Sequence, residues 1–340
     1  MNLSWSTEYP FWNSRRLVPA VLFSFCFSVG VPGNIAVIIL RPNWEHMSRL
    51  SQSLLLNLAV SDLLCLLTFP LLIDAYLHGW RVNLVSCKLL AYVVYCSIYC
   101  SQLTVTGLSI QRYLLVVHQQ DCQQVKKRLI VVLHWLVAFI LSIPHLVVQQ
   151  LVPNQQWTDC RAQYSSDAQW VAVRLTETIP GIVSFITVVF SYIRISRKVN
   201  QAAFFNNPQT TRLITSIIVS FVVLWVPYFT NNVLGIVAIC LGHEGLKKFY
   251  LTSWDFLSSL TTINKCLNPL LYSVSSLFTS PPPPHSSFPI SPLTFILSFP
   301  LNSLTLLFPI TPLSASSFPS HPSSFSFQLQ QPNFKPSSSL

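Results

Sequence analysis

The chain has 340 residues, of which 51% are hydrophobic and 9% are charged, and its formal net charge is +10. Soluble domains carry about 25% charged residues, so this composition excludes an ordinary soluble protein and indicates an integral membrane protein. The sequence has no Walker, HExxH, GxSxG or paired zinc-ligand spacing, so we expect no enzyme activity and no metal site.

Seven apolar stretches reach the roughly 20 residues that a helix needs to cross a bilayer. Each is predicted to be helical, because backbone amides find no water to bind in the hydrocarbon. The predicted spans are residues 17–40, 50–76, 84–117, 128–151, 171–196, 212–241 and 249–277. The fold class is therefore an all-α membrane protein, with a seven-transmembrane helix bundle over residues 17–277.

The loops between the spans carry unequal charge. Ten Lys and Arg residues stand against two acids on one side, a net +8, whereas eight stand against seven on the other, a net +1. Short cytoplasmic loops hold the excess of Lys and Arg, so residues 1–16 are predicted to be extracellular. Asn2, in Asn2-Leu3-Ser4, is then a glycosylation acceptor. We expect no cleaved leader, because the first span is long enough to be its own anchor.

Nine cysteines are present, and six lie inside the predicted spans, where we expect small buried apolar groups. Cys87 and Cys160 both fall on the outer, oxidising side, one at the start of the third span and one in the loop after the fourth. We predict a disulfide between them.

Residues 278–340 differ from the rest of the chain. They are rich in Pro and Ser, and Pro281 to Pro284 are consecutive. Proline removes helix hydrogen bonds repeatedly even where this segment is apolar, so we predict a low-complexity, disordered cytoplasmic tail.

Short motifs follow one another in order along the seven spans. They are Gly33-Asn34, Asn57 and Asp62 in "LNLAVSDLL", Trp80 seven residues before Cys87, Gln111-Arg112-Tyr113, Trp135, Phe221 with Trp225 and Pro227 in "FVVLWVPY", and Asn268-Pro269-Leu270-Leu271-Tyr272. Over residues 15–277 this pattern resembles the rhodopsin-like (class A) G protein-coupled receptors. The resemblance implies a multi-pass receptor of the plasma membrane that signals through a heterotrimeric G protein, of the Gi type, with arrestin as a further partner and no role for nucleic acid.

The same resemblance implies a conformational switch at the inner ends of the helices. Pro227 and Pro269 favour bending of the sixth and seventh spans, with Trp225 as the lever. The residues implied in the switch or in G protein contact are Gln111, Arg112, Tyr113, Tyr192, Phe221, Trp225, Pro227, Asn268, Pro269 and Tyr272. Gln111 replaces the acid that usually pairs with the neighbouring arginine, so we expect raised basal activity.

Lys265 lies deep in the seventh span, where a cation costs about 2.5 to 3.5 kcal/mol. Many relatives hold a sodium ion there, and the matching positions are Asp62, Ser101, Asn264 and Asn268. We hypothesise that the Lys265 ammonium pairs with Asp62 and takes over part of the role of the ion. The lysine of opsins, six residues before the same asparagine, corresponds to Thr262, which argues against an opsin.

The ligand is predicted from the outer halves of the spans. The third span has no acid in its outer half, which argues against an amine, whereas Lys88, Arg161, Arg174, Lys247 and Lys248 offer partners for an anion. "YVVYCSIYCSQLTVTGLSIQRYLLVV" and "RLITSIIVSFVVLWVPYFTNNVLGIV" most resemble leukotriene B4 receptors, within the chemoattractant group. Residues implied in ligand binding are Tyr99, Glu177, Tyr228 and Asn232, with Gln149 replacing an arginine of that family and Arg174 compensating for it.

These features predict a receptor for an extracellular lipid chemoattractant, leukotriene B4 or a related oxidised fatty acid. A receptor for a chemotactic peptide and a scavenging receptor that binds ligand without signalling remain as alternatives. A transporter or channel would need internal repeats or broken helices at matched positions, and the sequence has neither.

Overall fold

The structure is a computed structural model that describes residues 14–41, 47–119, 127–153, 157–201 and 208–269. Three predictions lie outside the described residues: the glycosylation acceptor Asn2, the switch residue Tyr272 and the tail of residues 278–340.

The described chain is almost entirely helical. Its helices are α1 (Ser14–Leu40), α2 (Arg49–Leu66), α3 (Phe69–His78), α4 (Leu84–Val117), α5 (Lys127–Val148), α6 (Asp167–Gln201), α7 (Pro208–Cys240) and α8 (Glu244–Thr261), and its strands are β1 (Gln149–Pro153) and β2 (Thr158–Ala162). Helical backbone resumes after Thr262 and continues over 263–269. The seven-helix bundle is thus α1, α2 with α3, α4, α5, α6, α7, and α8 with its continuation.

Six of these seven segments are, by length and composition, apolar enough to cross a membrane within the described part of the chain. The seventh falls short because α8 carries Glu244, Lys247, Lys248 and Asp255, and because Lys265 lies in its continuation. Lys265 is 2% exposed, so its charge faces the interior of the bundle rather than lipid.

The second span was predicted as one helix over 50–76, but it breaks between Leu66 and Phe69. Pro70 is the cause, because a proline clashes with the carbonyl four residues earlier, here that of Leu66. At the break the carbonyl of Cys65 accepts from both the amide and the hydroxyl of Thr68, at 3.0 and 2.6 Å.

The seventh span also contains a proline that leaves a carbonyl without its helical donor. Pro269 cannot donate to the carbonyl of Lys265, and Asn34 Nδ2 of α1 donates to that carbonyl at 3.0 Å instead. Gly33 permits this approach, since a Cβ at residue 33 would lie 2.6 Å from the Cβ of Pro269. In the Gly33-Asn34 motif, therefore, Gly33 leaves room for Pro269, and Asn34 binds the carbonyl that Pro269 leaves without a donor.

The fourth span was predicted over 128–151, but α5 ends at Val148 and residues 149–151 belong to β1. Lys88 Nζ donates to the carbonyls of Leu146 and Val147 at 3.0 and 3.2 Å, which caps the last turn of α5. β1 then pairs antiparallel with β2, with Leu151 opposite Cys160.

The predicted disulfide between Cys87 and Cys160 is confirmed, with a Cα–Cα distance of 5.7 Å. It joins β2 to the outer end of α4. The amide of Trp80 donates to the carbonyl of Thr158 at 2.6 Å, so the hairpin is held from two sides.

Of the six cysteines expected to be buried in helices, five are buried and Cys240 is exposed. The prediction was wrong for Cys240 because it is the last residue of α7, next to the turn at Leu241 and Gly242. A helix end has fewer neighbours to cover it than a helix middle.

α4 lies at the centre of the bundle and packs against α2, α5 and α6. Asn57 of α2 joins that helix to both α4 and α5, because its Nδ2 donates to Thr104 Oγ1 at 2.7 Å and its Oδ1 accepts from Trp135 Nε1 at 2.9 Å. Both polar ends of this buried amide are satisfied, so the network specifies how the three helices are oriented.

Candidate functional site

The outer halves of α6 and α7 meet at a buried ion pair. Arg174 Nη1 donates to Glu177 Oε2 at 2.8 Å, and each residue is 5% exposed. The same oxygen accepts from the Tyr228 hydroxyl at 3.1 Å and from Asn232 Nδ2 at 3.5 Å. His145 of α5 places Nε2 3.4 Å from the other oxygen, Oε1. We call these five residues the outer polar cluster.

Aromatic residues surround the guanidinium of Arg174. Its Nη2 donates to the Tyr164 hydroxyl at 3.1 Å, and its Cζ lies 5.0 Å from the Trp254 ring centroid and 5.8 Å from that of Trp170. Burial raises the pKa of Tyr164, so its hydroxyl stays neutral and can accept this bond. A cation on aromatic faces with an anion beside it is a stable way to bury an arginine.

The outer polar cluster keeps unused hydrogen-bonding capacity. Among the described residues, Arg174 Nε, Glu177 Oε1 and Asn232 Oδ1 are buried without a hydrogen-bond partner. Each unsatisfied atom costs about 1–3 kcal/mol. One donor and two acceptors of the cluster therefore make no hydrogen bond within the described chain, and a polar ligand that reached them would recover that free energy.

The structure brings five of the six predicted ligand-binding residues to this place. Tyr99 reaches it through His145, with 3.4 Å between the hydroxyl and Nε2. Gln149 does not reach it, since as the first residue of β1 it donates instead to Cys160 Sγ at 3.4 Å.

Sequence reasoning missed His145 and Tyr164. His145 carried a signal, because an ionisable residue inside a membrane span is by default a functional candidate. Tyr164 carried none, because it lies in the loop before α6 and only the fold brings it to Arg174.

A second buried cluster lies deeper in the bundle. Lys265 Nζ donates to Asp62 Oδ1 at 2.9 Å and to Ser101 Oγ at 2.7 Å. Ser101 Oγ donates to the same Asp62 oxygen at 2.7 Å, and Asn268 Nδ2 donates to Oδ2 at 2.6 Å. Ser101 also lies 2.9 Å from the hydroxyl of Ser61. We call these residues the central cluster.

The family resemblance implies a sodium ion beside Asp62, and the residues present do not fit one. Both Asp62 oxygens already accept hydrogen bonds, one of them from an ammonium group. A second cation about 4 Å from Nζ would be repelled by about 4 kcal/mol at an effective dielectric constant of 20. Asn264, though 2% exposed, makes no hydrogen bond with Asp62 or Lys265 in the described chain.

At the inner end of α4, Gln111 and Arg112 have separate surroundings. The Gln111 amide accepts from Ser51 Oγ at 3.1 Å and donates to Ser48 Oγ, which ties α4 to the start of α2. Arg112 is 9% exposed, and no carboxylate of the described residues pairs with it. Within the described part of the chain, therefore, no anionic side chain holds this arginine.

The other predicted switch residues lie on α4, α6 and α7. The Tyr113 hydroxyl lies 3.1 Å from His118 Nε2, whereas Tyr192 is exposed on α6. Trp225 is buried on α7 between Phe221 and Phe229, whose ring centroids lie 5.8 and 5.5 Å away. α7 continues through Pro227 as one helix.

Several cations of the outer face have polar partners. Lys88 caps α5, Arg16 Nη2 lies 2.8 Å from Asp159 Oδ1, and Lys247 Nζ lies 3.5 Å from Glu244 Oε1. Arg161 is exposed on β2. Of the outer cations proposed as partners for an anion, Arg174 is the one inside the outer polar cluster.

The chain folds into seven helical segments. A disulfide joins the hairpin to the outer end of α4, and buried polar clusters lie at two depths. These features define a seven-helix membrane receptor. A sequence profile described as 7 transmembrane receptor (rhodopsin family) matches residues 33–272. The chain belongs to this family, so it is a multi-pass receptor of the plasma membrane that acts with a ligand and a heterotrimeric G protein, and it is not an enzyme.

Curated relatives include receptors for chemoattractants. The chain is 32% identical to leukotriene B4 receptor 1 of Rattus norvegicus over 79% of each chain, and 30% identical to that of Homo sapiens over 76% of each. It is 29% identical to the C3a anaphylatoxin chemotactic receptor of Danio rerio, over 76% of this chain and 72% of the relative.

Proposed function

We propose that this receptor binds leukotriene B4 or a related oxidised fatty acid from the extracellular side and signals through a Gi-type G protein, with arrestin as a further partner. The observation that carries the proposal is the set of unsatisfied atoms in the outer polar cluster: Arg174 Nε, Glu177 Oε1 and Asn232 Oδ1. An oxidised fatty acid supplies the matching groups, since its carboxylate accepts hydrogen bonds and its hydroxyl groups donate them.

In this arrangement the ligand carboxylate accepts from Arg174, and hydroxyl groups donate to Glu177 Oε1 and Asn232 Oδ1. The aromatic side chains around Arg174 and beside Tyr228 contact the apolar chain of the lipid. Two relatives named leukotriene B4 receptor 1, each covering about three quarters of the chain, support this choice.

The test is saturation binding of tritiated leukotriene B4 to membranes from cells that express the full chain, with surface expression quantified in parallel. Asn232→Leu removes one acceptor at nearly constant volume, and we expect affinity to fall about 5- to 150-fold, equivalent to about 1–3 kcal/mol. Asn231→Leu is the matched control, because the adjacent Asn231 is also buried but its Oδ1 accepts from Ser253 Oγ at 2.8 Å. It should lower thermal stability and leave affinity unchanged.

Signalling assays distinguish the lipid receptor from a peptide receptor and from a scavenging receptor. Leukotriene B4 should lower cAMP in these cells, and pertussis toxin should abolish the response if the G protein is of the Gi type. A chemotactic peptide that signals where leukotriene B4 neither binds nor signals would overturn the lipid assignment in favour of a peptide. Tight leukotriene binding with no change in cAMP or calcium would identify a scavenging receptor.

A further inference from the structure

The central cluster holds a positive charge that is part of the chain. Lys265 is 2% exposed and Asp62 is fully buried, and the 2.9 Å distance between Nζ and Oδ1 makes them an ion pair. We propose that the Lys265 ammonium permanently replaces an exchangeable sodium ion, so that the stability and the conformational equilibrium of this receptor do not respond to sodium.

The hydrogen-bond arrangement supports replacement rather than coexistence. An ammonium group has three N–H donors and no acceptor, and two of them are used on Asp62 Oδ1 and Ser101 Oγ. Ser101 in turn donates to Asp62, and Asn268 covers the second carboxylate oxygen. A sodium ion needs oxygen lone pairs, and the oxygens of Asp62 and Ser101 already face donors.

The backbone of Lys265 is fixed as well as its side chain. Its carbonyl accepts from Asn34 Nδ2 at 3.0 Å, and its amide donates to the carbonyl of Thr262 at 2.9 Å. One residue thereby joins α1, α2, α4 and the continuation of α8. A free ion has an occupancy that varies with its concentration, whereas this cation is present in every molecule at every salt concentration.

Removing the ammonium should recreate a cation site. Lys265→Ser leaves Asp62, Ser101 and a new hydroxyl around the space that Nζ occupied. Asn268 Oδ1, which is buried without a hydrogen-bond partner among the described residues, belongs to a side chain already bound to Asp62. Carboxylate, hydroxyl and amide oxygens are the ligands that hard cations prefer.

The experiment measures Tm of the purified full-length receptor in detergent, without ligand, in sodium chloride against choline chloride at equal ionic strength. The wild type should differ by less than about 1 °C between the two salts, since a blocked site gives no linkage to sodium. Lys265→Ser should gain about 3–6 °C in sodium over choline if sodium reaches about ten times its dissociation constant. The double variant Lys265→Ser with Asp62→Asn should lose that gain.

A sodium-specific rise in the Tm of the wild type that disappears in Asp62→Asn would overturn the proposal. A sodium gain that persists in the double variant would also overturn it, because the ion would then bind elsewhere. If Lys265→Ser yields no folded protein in either salt, the comparison of wild type with Asp62→Asn still decides the question. None of these measurements uses leukotriene B4, so their outcome is independent of the proposed ligand.

Discussion

Arg174 and Glu177 allow a quantitative test of how the outer polar cluster is held together. Charges about 4 Å apart attract by about 4 kcal/mol at an effective dielectric constant of 20, and removing one partner of a buried pair costs about 3–5 kcal/mol. Arg174→Gln and Glu177→Gln should each lower Tm by about 6–20 °C, at about 2–4 °C per kcal/mol for a domain of this size. Either single variant leaves one buried charge without its counter-ion.

The double variant should be more stable than either single variant, because it removes both charges and leaves two neutral amides that can bond each other. The assay is the Tm of each purified full-length variant in detergent without ligand, evaluated as a double-mutant cycle. Arg161→Gln, at an exposed arginine on β2, is the matched control and should shift Tm by less than about 2 °C. Tm losses that add in the double variant would refute the view that the two charges stabilise each other.

Three further predictions concern other parts of the bundle. Gln111→Asp places an acid beside Arg112 and should reduce basal binding of a GTP analogue severalfold at equal surface expression, because an opposite charge favours the state that keeps Arg112 inside; unchanged basal activity would contradict this. Gly33→Ala should sharply reduce surface expression, since its Cβ would lie 2.6 Å from the Cβ of Pro269, whereas Gly107→Ala meets the His134 ring at 3.2 Å and Leu54 Cδ1 at 3.7 Å and should be tolerated; equal losses would contradict the role of Gly33. Cys87→Ser opens a loop of 73 residues and should cost about 4 kcal/mol, measured as a lower Tm that Cys160→Ser reproduces without adding to it.

The positions of the helices could be predicted because apolar length is a strong signal, and the third span matches α4 over residues 84–117. The breaks could not, because proline alone does not determine them. Pro227 lies inside the continuous α7, whereas Pro70 follows a break. At Pro269 the freed carbonyl of Lys265 accepts from Asn34 of α1, a neighbour that the local sequence does not reveal.

The two clusters differ in how much could be predicted from the sequence. The hypothesis that Lys265 pairs with Asp62 depends on motifs that align the helices residue by residue. In the structure, Lys265 Nζ lies 2.9 Å from Asp62 Oδ1. The outer polar cluster was harder to assemble, because His145 joins it through the rotation of α5 and Gln149 leaves it where the helix changes to a strand. Neither effect has a local pattern in the sequence.

The near balance of charge on the outer face affects how fast a ligand arrives. The outer side carries eight Lys and Arg residues against seven acids, and Arg16 is paired with Asp159, so little unbalanced charge projects beyond the receptor to draw an anion from a distance. Long-range attraction of this kind accelerates encounter and weakens steeply with ionic strength. The association rate of an acidic lipid with this receptor should therefore vary little between dilute and physiological salt, and the bilayer that concentrates the lipid should determine how often the two meet.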